Sequence, residues 1–493
     1  MTLAVVLSYL ALVLVIGVLS HRLAVGTGED YFVAGRTIGP FVLLMTLFGT
    51  HMTSFALLGA SAESYRVGIG VFALMASSSA LMVPLVFFFV GTRVWAVGKR
   101  LGLMTQVQFV RERWGSDLLG IALFVVLVLL LVPYLLIGVI GGGITLAEVT
   151  DGRVPTWLGG LLVSVVVVAY VCYGGLRGTS WVNTFQTTLF MVLGGITVAV
   201  IVSRLGGLET ALARLREVEP AMLVRGERIA PIQLLSYTLI PLSVGMFPHI
   251  FVHWLSARSA AAFRAPVALY PLCIVVVWVP SVLLGVLGHL DFPGLEGAQA
   301  NSVLVRMIAL HAPGILGGLL GAGVFAAIMS SLDSQSLSIG TMFTHDVVRH
   351  HRRRTGRSDL SERQQVWVGR MFVVAVVAVT FGLSLVVNRR IFGLAVWSFT
   401  GFAALLPILL AGLFWRRSTA AGALASLATV VASWTWFFVN AWGRPDYSVG
   451  GTGLDPVVVI FAGSVLAMVV GSLASRPPDP EQVARFFPTA ARR

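Results

Sequence analysis

Residues 118–143 read LLGIALFVVLVLLLVPYLLIGVIGGG and carry no charge. An apolar run of roughly 18 or more residues is long enough to cross the hydrocarbon of a bilayer as a helix, and such runs recur along the whole chain. Inside hydrocarbon every backbone N–H and C=O needs an internal partner, so a spanning chain is either helical or a closed barrel. A barrel would show ten-residue segments of alternating polarity, and LFVVLVLLLV does not alternate. The composition agrees. The chain is 57% hydrophobic and 11% charged, against about 25% charged in a soluble domain. The sequence therefore predicts an all-α polytopic membrane protein.

Thirteen spans are predicted, from residues 3–20 to 455–474, which puts the termini on opposite sides of the membrane. The first run, LAVVLSYLALVLVIGVL, has no basic stretch before it and no small-residue cleavage pattern after it, so it reads as a retained span and not a signal peptide. The net charge is +13. In a soluble chain that excess would raise nucleic acid as a partner; here arginines flanking spans fix topology, and no nucleic acid is expected. Placing the N-terminus outside gathers most basic residues inside, above all the run HHRRRTGR at 350–357. The expectation is a multi-pass protein of the plasma (inner) membrane, surrounded by lipid bilayer, with a cytoplasmic C-terminus. Residues 1–474 form a single membrane domain and 475–493 a loose cytoplasmic tail; residues 204–231 read as an amphipathic surface helix and loop. The two cysteines, Cys172 and Cys273, offer neither a disulfide framework nor a metal spacing. No nucleophile–base pair or phosphate-binding loop is visible, which argues against an enzyme.

Polar residues inside apolar spans are costly and face a cavity or a partner. FAAIMSSLDSQSLSIGTMFTHD, 325–346, places Ser330, Asp333, Ser334 and Ser338 along one helical face. Serines there serve either as glue between helices or as ligands; Asp333 requires a cation, an arginine or a proton. In TLFGTHMTSFALLGASAESY, 46–65, Gly49, Thr50, His51, Thr53 and Ser54 mark a helix open to interruption. An interrupted span exposes carbonyls able to bind Na⁺. In LIPLSVGMFPHIFVHWLSAR, 239–258, Pro248 removes a mid-span backbone bond, and His249, His253 and Trp254 follow. The H-x-x-x-H spacing lacks the third ligand that zinc requires. YGGLRG, 173–178, reads as a glycine turn with an arginine.

Five segments, in order and spread over nearly the whole chain, resemble the sodium:solute symporter family of proline, sugar, pantothenate and monocarboxylate carriers. They are EDYFVAGRTIGP, YGGLRGTSWVNTFQ, GMFPHIFVHWLSA, AAIMSSLDSQS followed by FTHD, and WSFTGFAALLPILLAGLFWRRSTAAGA. The resemblance implies a LeuT-type core of two inverted five-helix repeats, over about residues 40–203 and 232–413, working by alternating access with ligands at mid-membrane. It implies a sodium-coupled secondary active symporter, a monomer, importing a small organic solute. Na⁺ is the coupling ion, with carbonyls of Gly49, Met52 and Ala327 and hydroxyls of Ser330 and Ser331 as its ligands.

One position departs from the family pattern. The signature aspartate is Asn183 here, while Asp333 stands on another helix, about a turn inward of Ser330. Asp333, with Asn183, is therefore a candidate inner site for a second cation or a proton. His51 stands where proline carriers place an aspartate, which points to a carboxylate or amino-acid-like solute. Ser54, Tyr134, His249, Trp254 and Trp397 are candidate pocket residues by position. Two other readings remain: a proton-coupled carrier of the same fold, and a transporter-like solute sensor, against which the short tail argues.

Overall fold

A computed structural model describes residues 2–20, 28–226, 228–312, 314–387, 389–444 and 446–487. Helix dominates, and among the described residues the one isolated bridge joins Ile38 to Ala257. An apolar helix, α1 (Thr2–Ser20), begins the chain. Then come a bent pair, α2 (Pro40–His51) with α3 (Phe55–Val67), and α4 (Phe72–Leu101). A short α5 (Gln106–Trp114) precedes α6 (Asp117–Val149), α7 (Thr156–Arg204) and the amphipathic α8 (Leu208–Val218). A second bent pair, α9 (Pro231–Gly245) with α10 (Pro248–Ser256), leads into α11 (Ala260–Leu290) and α12 (Ile315–Arg354). The chain finishes with α13 (Glu362–Ser384), α14 (Ile391–Phe414), α15 (Ala420–Ala441), α16 (Pro456–Ala474) and α17 (Pro480–Phe486).

Nine of the described helices are long and apolar enough to cross a membrane, and the two bent pairs bring the number to eleven. The expectation of thirteen spans also counts α1 and divides α7. That helix is 49 residues long and changes direction at Gly175, whose φ of +55° only glycine adopts cheaply. The glycine turn read in YGGLRG lies at this point.

Local signals set the ends of the helices. The Ser116 hydroxyl accepts from the Leu119 N–H to begin α6, and Thr105 accepts from Gln108 to begin α5. Ser361 and Gln364 form a reciprocal capping box on α13. Burial then orders the helices. The most apolar window of α12 is 83% buried and that of α14 is 78%, against 28% for α7, α13, α15 and α16. The polar-striped α12 is thus the central post, and the uniformly apolar helices face lipid.

Contacts near the two ends of the described chain name two faces of the bundle. Thr2 donates to the Gly314 carbonyl on one face. On the other, Arg100 donates to the carbonyls of Arg485 and Phe486, beside the basic run 349–354; this is called the basic face below. The tail departs from the expected loose segment. Residues 480–486 form α17, and Phe486 is buried edge-on against Phe109 with the Arg113 guanidinium near its ring. The apolar Phe486 and the arginine give the tail a docking point that composition alone does not reveal.

Close approach at glycines sets the packing of α11 on α3. A side chain at Gly285 would overlap the Ser61 carbonyl and the Ser64 hydroxyl. Gly285→Leu is expected to lower the melting temperature of the purified protein by several degrees, whereas Gly382→Ala, where a Cβ meets open space, leaves it unchanged; a fluorescence melt of both checks this.

Candidate functional site

Two spans break where their sequences are least regular. Between α2 and α3 the axis turns by 58°. Met52 at the break has φ −81° and ψ 95°, an extended conformation that ends the helical ladder. The α9–α10 axis turns by 52°. Pro248 does not interrupt a continuous helix there, as the sequence suggested; it is the first residue of α10, where its missing N–H costs nothing. Both breaks leave backbone groups without the usual i−4 partners among buried residues.

α12 meets the first break through Ser330. Its hydroxyl lies 2.9 Å from the Gly49 carbonyl of α2 and 3.0 Å from the Ala327 carbonyl of its own helix. Three of the five expected Na⁺ ligands are thus already gathered, all buried. Ser331 turns its hydroxyl onto the Ile328 carbonyl at 2.9 Å, and Met52 sits at the break itself. The approach of α2 depends on the lack of a side chain at Gly49, where a Cβ would strike the Thr187 hydroxyl of α7. Carbonyl and hydroxyl oxygens form a donor set for a hard cation.

On the basic-face side of Ser330 lies a second polar cluster, built by α7, α10 and α12. Tyr170 donates to Asp333 Oδ2 at 2.9 Å, and Ser334 Oγ is 3.0 Å from Oδ1. Asn183 Nδ2 donates to Ser334 Oγ at 2.8 Å, and His253 Nε2 is 3.3 Å from the same oxygen. The asparagine and the aspartate thus lie on two sides of one serine. Tyr170 escaped the sequence reading because a lone tyrosine in an apolar helix gives no signal of its partner.

The third group is aromatic. Phe247 stacks on His249 at 5.2 Å and packs near Tyr134, Phe399 and Phe402. Neither ring nitrogen of His249 nor the Tyr134 hydroxyl has a hydrogen-bond partner among the described residues, although all are buried. A buried polar atom left unpaired costs about 1–3 kcal/mol, so these atoms can take a polar partner. His51 adjoins this group, with its Nδ1 paired to the Tyr270 hydroxyl. Ser54 donates to the Ile137 carbonyl of α6 at 2.7 Å. The other two candidates stand apart. Trp254 packs on Phe87 and Phe251. Trp397 packs on Trp434 and lines a cavity of about 670 Å³ on the face opposite the basic one, together with Arg66, Tyr237 and Phe392.

Two broken helices beside a buried hydroxyl-rich post give a helical membrane fold of the LeuT type. The sequence profile of the sodium:solute symporter family matches residues 31–429, and the chain belongs to that family. Its relatives include the sodium/proline symporter of Escherichia coli (strain K12), 26% identical over 93% of this chain and 90% of that protein. A high-affinity proline transporter of Bacillus subtilis (strain 168) is 25% identical, over 91% and 93%. Among solved structures the fold is similar to a substrate-bound, outward-open Na⁺-coupled sialic acid symporter, with TM-score 0.78, 17% identity and coverage of 97% and 98%. The protein is a sodium-coupled symporter of a small solute, and not an enzyme.

Ser330→Ala removes the hydroxyl that spans the two helices. It is expected to raise the Na⁺ concentration for half-maximal stabilisation in a thermal melt by roughly tenfold, as losing one of the five expected ligands would; choline chloride at matched ionic strength serves as the blank.

Proposed function

We propose that this chain imports a small carboxylate or amino-acid-like solute, with Na⁺ held by the carbonyls of Gly49, Met52 and Ala327 and the hydroxyls of Ser330 and Ser331. The observation carrying this reading is the Ser330 hydroxyl within 3.0 Å of carbonyls on two helices at the break of one of them. The solute lies between the breaks, against Phe247, Tyr134 and His249. The unpaired donors of Tyr134 and His249 suit a carboxylate, and the proline carriers among the relatives support this class. His51, already paired to Tyr270, positions the wall of the pocket. The core repeats are residues 40–203 and 232–413, each opening on a bent helix. The protein works as a monomer in the plasma membrane, with the basic face and C-terminus cytoplasmic, as the excess of arginine there supports.

Uptake into proteoliposomes tests the reading. Amino acids, short monocarboxylates, pantothenate, sugars and urea are offered under an inward Na⁺ gradient and under choline. Na⁺-driven accumulation of a carboxylate or amino acid is expected; accumulation of a neutral sugar alone, or uptake equal in choline, contradicts it.

Asp333 is the charged ligand of a second cation site, completed by Ser334, Tyr170 and Asn183. Its carboxylate stands in for the acid missing at Asn183, since both side chains reach Ser334. Asp333→Asn is expected to cut Na⁺-driven uptake roughly tenfold or more, the cost of losing a charged partner. The exchanged pair Asn183→Asp with Asp333→Asn recovers a substantial part. Unchanged uptake in Asp333→Asn would sink the assignment.

A further inference from the structure

α12 continues past Ser331, the innermost of the proposed Na⁺ ligands, toward the basic face, and Gln335, Ser338 and Asp346 there belong to neither cluster above. Ser331, Gln335, Ser338 and Asp346 fall near one side of the helix by their spacing, and all are buried. Neither the oxygen nor the nitrogen of the Gln335 amide has a hydrogen-bond partner among the described residues. A leucine would serve a purely structural helix better, because an unpaired amide in a core is costly. From Phe343 to Arg349 the turns widen to π geometry, a local change that recurs at functional positions.

Asp346 lies in that widened turn. Its carboxylate is buried, and neither oxygen accepts a hydrogen bond of normal geometry from the described residues. The Thr105 hydroxyl is beside it, and Arg111 Nη1 stands 3.7 Å from Oδ1. Arg111 also donates from Nη2 to the Asp346 backbone carbonyl at 3.0 Å. A second carboxylate faces the same guanidinium: Asp117 is 3.6 Å from Arg111 Nε, and it also holds Arg354 at 3.0 Å and His350 at 2.9 Å. Beyond Arg111 opens a cavity of about 480 Å³ on the basic face, lined also by Asp117, His345 and Arg349.

We propose that Asp346, with the Thr105 hydroxyl, is a release site for the monovalent cation on its way from Ser331 past Gln335 to the basic-face cavity, and that Arg111 occupies this site until the ion arrives. Carboxylate and hydroxyl oxygens are the donors a hard cation takes. Arginine and Na⁺ cannot share Asp346, because two like charges within contact distance repel strongly in a buried site. Arrival of the ion moves Arg111 fully onto Asp117, which opens the path to the cavity, and departure of the ion returns it. The inference rests on Na⁺ being the coupling ion and adds a station that the five-ligand site does not include.

The test is equilibrium binding of ²²Na⁺ to the purified full-length chain, with choline replacing sodium as the blank. Arg111→Gln is expected to bind one more Na⁺ per chain than the unaltered protein, and adding Asp346→Asn to remove that extra ion. An unaltered count in Arg111→Gln, or an extra ion that survives Asp346→Asn, overturns the proposal. Gln335→Leu gives an independent reading should Arg111→Gln not fold. Release of ²²Na⁺ from the basic-face side of oriented proteoliposomes should slow by roughly tenfold, the effect of one lost polar contact on a buried ion, with the equilibrium count unchanged. Release at the unaltered rate overturns the path. If the unaltered protein binds no Na⁺, sodium coupling itself fails; if it binds Na⁺ and the variants behave alike, only the release site fails.

Discussion

The structure depends on a shortage of hydrogen-bond partners. Inside hydrocarbon a helix satisfies its own backbone, and a broken helix does not. At the α2–α3 break the Gly49 carbonyl meets a hydroxyl from another helix, Ser330 at 2.9 Å. That one bond joins a bent span to the central post. It also gathers oxygens that a cation can share without rebuilding the fold. A serine hydroxyl that donates to a carbonyl can rotate and turn its lone pairs to an ion. In the proposed Na⁺ site, the structural bond and the transport ligand are the same atoms in two hydrogen-bonding states.

The surrounding architecture follows from keeping this junction buried. α12 is the most buried of the spanning helices, and Ser330, Asp333 and Ser334 on it meet partners in α2, α7 and α10. Glycine at position 49 lets α2 close on α7, where Thr187 donates to the Met45 carbonyl. The helices whose apolar windows are least buried, such as α13, α15 and α16, lie at the periphery. Asp333 fits the same logic. A buried carboxylate is tolerable where donors surround it, and Tyr170 and Ser334 supply two.

Much of this was legible in the sequence, and the limits have a physical cause. The spans follow from apolar runs, the breaks from GTHMTS and GMFP, and the polar face of α12 from helical spacing; each signal is local. The family resemblance carried Gly49, Ala327 and Ser330, and the structure brings these together. What stayed hidden was pairing at a distance. His51 is paired to Tyr270, 219 positions away, and Asp333 to Tyr170, 163 positions away. Nothing near either residue specifies its partner. Pro248 illustrates a local signal with two outcomes, since a proline can kink a helix or begin one; here it begins one. Trp397 followed its helix to the outer cavity, because which side of α14 meets the core is decided by packing. The docking of α17 rests on Phe486 and Arg113, which only the folded chain brings together.

The most direct measurement is a high-resolution map of the protein in lipid nanodiscs, recorded once in sodium chloride and once in choline chloride. The account predicts a density peak in sodium alone, enclosed by the carbonyls of Gly49, Met52 and Ala327 and the hydroxyls of Ser330 and Ser331, with Ser330 turned away from the Gly49 carbonyl. A Ser330–Gly49 hydrogen bond kept intact in saturating sodium, with no peak between the two helices, would contradict it.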